Sequence, residues 1–310
     1  MPRILALMLT CLVCPSSPAK EPIRVETSQP VIEEWVSRLA AGGAKVSSLT
    51  PRASDLHVFE PSPQTVKRLI EADAIIGMDP LLEPWLVRLV NSNQLNNKVL
   101  WIGKPWISDQ GNTLACCPED GGAKHALLRR QRPVDPHVWT DPMLVREMLL
   151  ATHDWLSPRL PPAEALQRQS ALEELLGEAA ALDRELRELI GRVPEPRRGL
   201  ITHHANLGRF AERYGLRIEG VILSSATTEA ADPSARDMAR LVASARSGRA
   251  RLVVVDKGQR APAAEVLARE AGLPPPLPLR VDNLEAEGAG ATWSGMLREA
   301  GRRLSEELAR

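Results

Sequence analysis

The sequence predicts an α/β protein of two lobes, each a four-stranded parallel sheet flanked by helices, joined by one long backbone helix. Three observations carry that expectation. From Ile23, short β-branched runs alternate with longer segments of helical period; the same alternation resumes from Gly199; and a long apolar stripe stands between them near the middle of the 310-residue chain. Strands separated by crossovers long enough to hold a helix form a parallel sheet covered on both faces. A chain of this length is able to bury a core in each of two domains.

The first element is a leader. Met1-Pro2-Arg3 is a positive start, Ile4 to Val13 an apolar run, and Ser17-Pro18-Ala19 offers small residues for cleavage, so 1-19 reads as a signal peptide. That run is about half of a bilayer span. Val13 before Cys14 is bulkier than a lipoprotein signal prefers, so removal near Lys20 is expected over a lipid anchor. Cys11 and Cys14 leave with the leader, and only the vicinal Cys116-Cys117 remains: a strained disulfide, a soft metal contact or an inert loop feature. An exported protein with no long-range cysteine pair rests on its core.

The first lobe, 20-160, has strands expected at Ile23 to Thr27, Ala44 to Leu49, Ala74 to Met78 and Lys98 to Ile102. Helices at Val31 to Ala41, Pro63 to Ala72 and Leu82 to Val90 stand between them, and Ser62-Pro63 is a cap followed by a first-turn proline. Residues 105 to 134 break the rhythm with Gly111, Gly121, Gly122, His125 and the basic Arg129-Arg130-Gln131-Arg132. A structureless connection of this length is functional or mobile. Then comes Asp135-Pro136-His137-Val138-Trp139-Thr140-Asp141-Pro142, which holds one histidine in a proline-stiffened elbow before a helix at Met143 to Leu156. His153, mid-helix beside Asp154, reads as structural.

The linking helix, 161-194, is expected from about Ala163 to Gly191, where Leu172, Leu175, Leu176, Ala179, Leu182, Leu186, Leu189 and Ile190 recur at three- and four-residue steps. At 1.5 Å per residue it would be roughly 43 Å long, a natural spine between lobes. A dimeric coiled coil fits less well, because the stripe lasts under about four heptads without a clear e/g charge pattern; a monomer is expected. The second lobe, 195-310, repeats the first in kind. Strands are expected at Gly199 to His203, Arg217 to Leu223, Arg251 to Asp256 and Leu279 to Asp282, with helices at Asn206 to Tyr214, Ala235 to Ala245, Ala261 to Ala271 and Thr292 to Ala309. Ser234-Ala235-Arg236-Asp237 resembles a capping box with Asp in place of Glu.

Composition narrows the function. Lys+Arg and Asp+Glu both number 39, which gives no sign of a nucleic-acid or polyanionic partner. Apart from seven tryptophans the aromatics are scarce, which argues against a stacking platform for bases or sugars. The chemistry-bearing residues are His57, His137, His204 and Asp282, each following a strand expected to end at the carboxyl edge of its sheet, where open α/β folds bind ligands. Singly each has an ordinary reading, as a loop, turn, helix-start or strand-end residue. Together they make a suitable set for a divalent cation of borderline softness, zinc first and manganese next.

These residues also carry a family resemblance. His57-Val58-Phe59-Glu60-Pro61-Ser62-Pro63, Leu82-Glu83-Pro84-Trp85-Leu86 and the Asp135 to Pro142 elbow resemble successive motifs of the periplasmic solute-binding proteins of zinc and manganese ABC importers. Thr202-His203-His204-Ala205 with Gly208, Phe210 and Tyr214-Gly215-Leu216 is similar to that family's second-lobe histidine motif, and Val281-Asp282-Asn283-Leu284 to its carboxylate motif. The likeness runs from about Ile23 to Arg310. It implies one metal held between two lobes by His57, His137, His204 and Asp282, with His203 at a place where an apolar residue is usual. It also implies an inner-membrane ABC permease as partner, a periplasmic location, and loop rearrangement rather than large hinge closure. The 105–134 loop is not histidine-rich, unlike that of many zinc-binding relatives, and the Lys257 to Arg260 loop departs from the usual pattern.

Two further readings predict different sites. A metallohydrolase would use the same histidines with Glu60 as general base and keep a coordination position for water, although the chain has no HExxH or Gly-x-Ser-x-Gly motif. A cobalamin-type cargo would need a roomy apolar cleft without converging histidines.

Overall fold

The computed structural model describes residues 21–107, 135–223 and 233–310. The leader at 1-19, Cys116-Cys117, His125 and most of the 105–134 loop lie outside the described residues. In the first lobe, β1 (Ile23–Thr27), β2 (Ala44–Ser48), β3 (Ala74–Gly77) and β4 (Val99–Trp101) form a parallel sheet of order β2-β1-β3-β4. The helices α1 (Pro30–Ala40), α2 (Pro63–Glu71), α3 (Pro84–Ser92) and α4 (Pro142–Leu156) accompany it. After α5 (Ala165–Gly191), the second lobe repeats the plan. Strands β5 (Gly199–Thr202), β6 (Arg217–Val221), β7 (Leu252–Asp256) and β8 (Leu277–Leu279) take the order β6-β5-β7-β8, with α6 (Gly208–Tyr214), α7 (Ala235–Arg246), α8 (Pro262–Ala271) and α9 (Trp293–Ala309). The expected two-lobe α/β architecture is what the chain adopts.

The punctuation residues act as expected. Ser62, Asp141, Ser234 and Thr292 each cap a helix by accepting a backbone N–H in its first turn, and prolines stand at the starts of α1, α2, α3, α4 and α8. Ser234 accepts from the Asp237 N–H at 3.2 Å and donates to Asp237 Oδ2 at 2.6 Å, so the Asp is too short to complete the box and binds the capping hydroxyl instead. Period-two alternation sorts each strand between layers. Ile76, Leu200 and Val254 face a core shared by both lobes and α5, whereas Ile75, Ile201 and Val253 face outer clusters under α2 and α3 or under α7 and α8.

Helix α5 is the spine. Its 27 residues span about 40 Å, and Leu172, Leu175, Ala179, Leu182, Leu186 and Ile190 are buried along one stripe. Polar groups fix its neighbours: Glu178 binds Arg38 of α1 at 2.6 Å and accepts from Ser294 of α9, and Asp183 accepts from the Tyr214 hydroxyl of α6 at 3.2 Å.

Most boundaries shift by one or two residues, and three of the differences bear on the site or the spine. Strand β8 ends at Leu279, so Asp282 stands three residues beyond the strand it was expected to close. Pro278 lies within β8, tolerable because β8 is the sheet's edge, and pairing stops before Val281, whose carbonyl goes to Trp139. Helix α6 starts at Gly208 rather than Asn206, whose amide serves two carboxylates. A short 3₁₀ turn at Pro162–Glu164 precedes α5, which delays its start to Ala165.

Candidate metal centre

Four side chains from four loops meet between the lobes. His57 lies on the loop between β2 and α2, where its N–H donates to Asp55 Oδ1 at 2.9 Å. His137 precedes a 3₁₀ turn, Val138–Thr140, that ends at the cap of α4, and its carbonyl accepts from the Thr140 hydroxyl at 2.8 Å. His204 lies two residues beyond the end of β5, and Asp282 follows β8. One donor atom from each of the four lies within 4.8 Å of the others. The three imidazoles form a nearly equilateral triangle, with centroids 5.2, 5.3 and 5.4 Å apart and rings edge to face.

The inner spacings fit one small cation. His57 Nε2 is 3.3 Å from His137 Nε2, His204 Nε2 is 3.3 Å from Asp282 Oδ2, and His137 Nε2 is 3.8 Å from Asp282 Oδ1. Zinc–donor bonds of 2.0–2.1 Å put the corners of a tetrahedron about 3.3–3.4 Å apart. His204 Nε2 is also buried without a hydrogen bond among the described residues, which is costly for a polar atom unless something supplies a partner.

A second layer of carboxylates aims the rings. Asp135 Oδ1 lies 2.7 Å from His137 Nδ1, and Asp256 Oδ2 lies 2.7 Å from His204 Nδ1, so each ring turns its Nε2 inward. Asn206 Nδ2 donates to Asp256 Oδ1 at 2.7 Å and lies 3.2 Å from both oxygens of Asp282. His203 takes the other direction, with Nδ1 3.3 Å from Asp256 Oδ2, and is not one of the four. The sequence reading did not assign Asp256, Asp135 or Asn206. The available signals were an acid ending the apolar run Val253-Val254-Val255 and another two residues before His137.

Electrostatics separates the histidines. Burial pushes the His57 imidazole down to about 4, with the nearby His137 acting in the same direction. For His204, burial opposes the charge, but the Asp282 and Asp256 carboxylates overcome it and lift the imidazole to about 10. Burial would likewise raise Asp282 and Asp135, yet facing His204 and His137 respectively hold both below the usual carboxylate range.

Hydrogen bonds to backbone carbonyls knit the lobes around this centre. Asn283 Nδ2 donates to the Pro51 and Ser54 carbonyls, Ala53 N–H to the Leu284 carbonyl, and Trp139 Nε1 to the Val281 carbonyl. A cleft of about 110 Å³ bounded by Asp55, Lys257, Gln259 and Arg280 reaches Asp256 and Asp282, and Gln259 Nε2 donates across it to Asp55 Oδ2 at 2.8 Å. Glu60 is exposed on the loop before α2.

Comparison with known proteins adds an independent observation. A family model described as ZnuA, zinc-uptake complex component A periplasmic, matches residues 25–307. Zinc-binding protein AdcA of Streptococcus pyogenes serotype M3 is 26% identical over 273 residues, covering 82% of this chain and 50% of that protein; the chain spans about half the length of the curated relatives it matches there. The periplasmic zinc-binding protein TroA of Treponema pallidum superimposes with a TM-score of 0.77 at 20% identity, covering 93% of this chain and all of that one. A Mn-bound periplasmic metal-binding protein of Candidatus Liberibacter asiaticus gives 0.72 at 17% identity, covering 92% and 99%. At these identities the structural likeness shows the fold.

Proposed function

The chain belongs to the ZnuA family of periplasmic zinc-uptake components, and from that premise we propose that it is the extracytoplasmic receptor of a metal ABC importer. It captures a divalent cation between its lobes through His57, His137, His204 and Asp282 and delivers it to an inner-membrane permease. The observation that supports this reading is the convergence of one donor from each of the four residues within 4.8 Å. Names among its relatives and neighbours include both zinc and manganese, so the donors must choose. Three imidazoles with one carboxylate favour zinc, because manganese prefers oxygen. Four protein donors complete a tetrahedron and keep no position for a reactive water, as suits cargo rather than catalysis. The periplasmic description of the family supports export of this chain, in keeping with the leader expected at 1-19.

Metal analysis of the purified protein, with His137→Ala beside it, tests this. One zinc per wild-type chain and none retained by His137→Ala is the expected result; equal metal in both would refute the ligand assignment. Manganese as the stoichiometric metal would overturn the choice of cargo while keeping the site.

A further inference from the structure

Helix α6 of the second lobe grips the carboxylate that aims a first-lobe histidine. Asp135 uses Oδ1 for His137, at 2.7 Å to Nδ1 and 2.9 Å to the backbone N–H, and uses Oδ2 to accept the Arg209 N–H at 3.0 Å. Gly208, the first residue of α6, lies against the same oxygen: a Cβ there would stand 2.7 Å from Asp135 Oδ2 and 3.3 Å from its Cβ. The Gly208 backbone is not in the left-handed region, so this glycine answers to proximity rather than to conformation. Asp135 has little room to yield, because it is short, precedes Pro136 and has both oxygens committed.

We propose that Gly208 is a positioning residue for metal binding, allowing the second lobe's backbone to hold Asp135 and, through it, the His137 ring. The reading rests on the metal centre described above. His204 differs in this respect, because its orienting carboxylate, Asp256, is held by His203 and Asn206 of the same lobe. The carboxylate that aims the first lobe's His137 is itself held from across the cleft, so separating the lobes would loosen the His137 ring as well as widen the donor spacing.

A double-mutant cycle tests this with zinc as the probe and a chromophoric chelator as competitor. Gly208→Ala in the full chain is expected to weaken zinc binding about ten- to a hundredfold, the usual effect of disturbing an outer-shell partner. In an Asp135→Ala background, where the new methyl has space, the same substitution is expected to change affinity less than about twofold, since coupled residues are non-additive. Unchanged zinc binding in Gly208→Ala, or an equal loss in both backgrounds, would overturn the proposal. If Gly208→Ala does not fold, Arg209→Pro, which removes the donated N–H, is compared with Arg209→Ala, which keeps it; equal affinities for that pair would be just as damaging. A wild-type protein that binds no zinc would overturn the metal reading itself, and this inference with it.

Discussion

At the scale of single residues, the carboxylates behind the rings matter as much as the inner four. Asp256 binds His204, His203 and Asn206 at once, so replacing it with asparagine removes the charge that makes His204 a strong donor. Asp256→Asn is expected to lower zinc affinity about ten- to a hundredfold while the protein remains folded, read by competition titration alongside circular dichroism; undiminished affinity would show that the pair only fills space. The convergence of the inner four was partly legible, because three of them are among only six histidines and all four lie in loops after strands. Asp256 was not, because it stands 52 residues from His204 and only the adjacency of β5 and β7 brings them together. His203 and His204 could not be told apart by spacing; alternation along the chain turns one inward and the other aside.

At the scale of elements, tryptophans splice the loops that present the ligands. Trp139, two residues after His137, donates through Nε1 to the Val281 carbonyl at 2.7 Å, next to Asp282, and its own carbonyl accepts from Trp293 Nε1 of α9 at 2.8 Å. Trp139, Val281 and Trp293 are buried. Trp139→Phe keeps an aromatic ring but strands the Val281 carbonyl, which is expected to cost about 1–3 kcal/mol. Urea unfolding should show a lower midpoint with an unchanged slope, and an unchanged midpoint would mean that water or a neighbour replaces the indole. The elements themselves were largely readable, since buried strands declare themselves through β-branched runs and helices through Ser-Pro and Asp-Pro starts. Two of the misplacements came where side-chain or backbone groups were claimed by groups outside the element. Asn206 was counted into α6 although its amide serves Asp256 and Asp282, and Asp282 was counted into β8 although the Val281 carbonyl had already turned toward Trp139. Both lie beside the four converging donors, where side-chain contacts from distant segments override local pattern.

At the scale of the molecule, one core runs from the first sheet through α5 into the second, and the four donor groups gathered on it are ones for which a cation must compete with protons. Metal-free His204, lifted to about 10 despite its burial by the Asp282 and Asp256 charges, carries a proton at neutral pH. Its raised value means that this ion pair contributes stability that is fully present below the unfolded value of about 6.5 and lost as pH rises through the folded value. A cation needs the same Nε2 lone pair, so binding must expel that proton. His57, pushed down to about 4 by burial with His137 beside it, is already neutral and costs nothing until strongly acid conditions. Zinc affinity is therefore expected to fall about tenfold for each pH unit of acidification through the neutral range. The decline should steepen further as pH approaches the His57 value. Calorimetry in two buffers of different ionisation enthalpy should show about one proton released per zinc at neutral pH. A pH-independent affinity with no proton release would mean that His204 is neutral before the metal arrives, and that the carboxylate pair around it orients the ring without charging it.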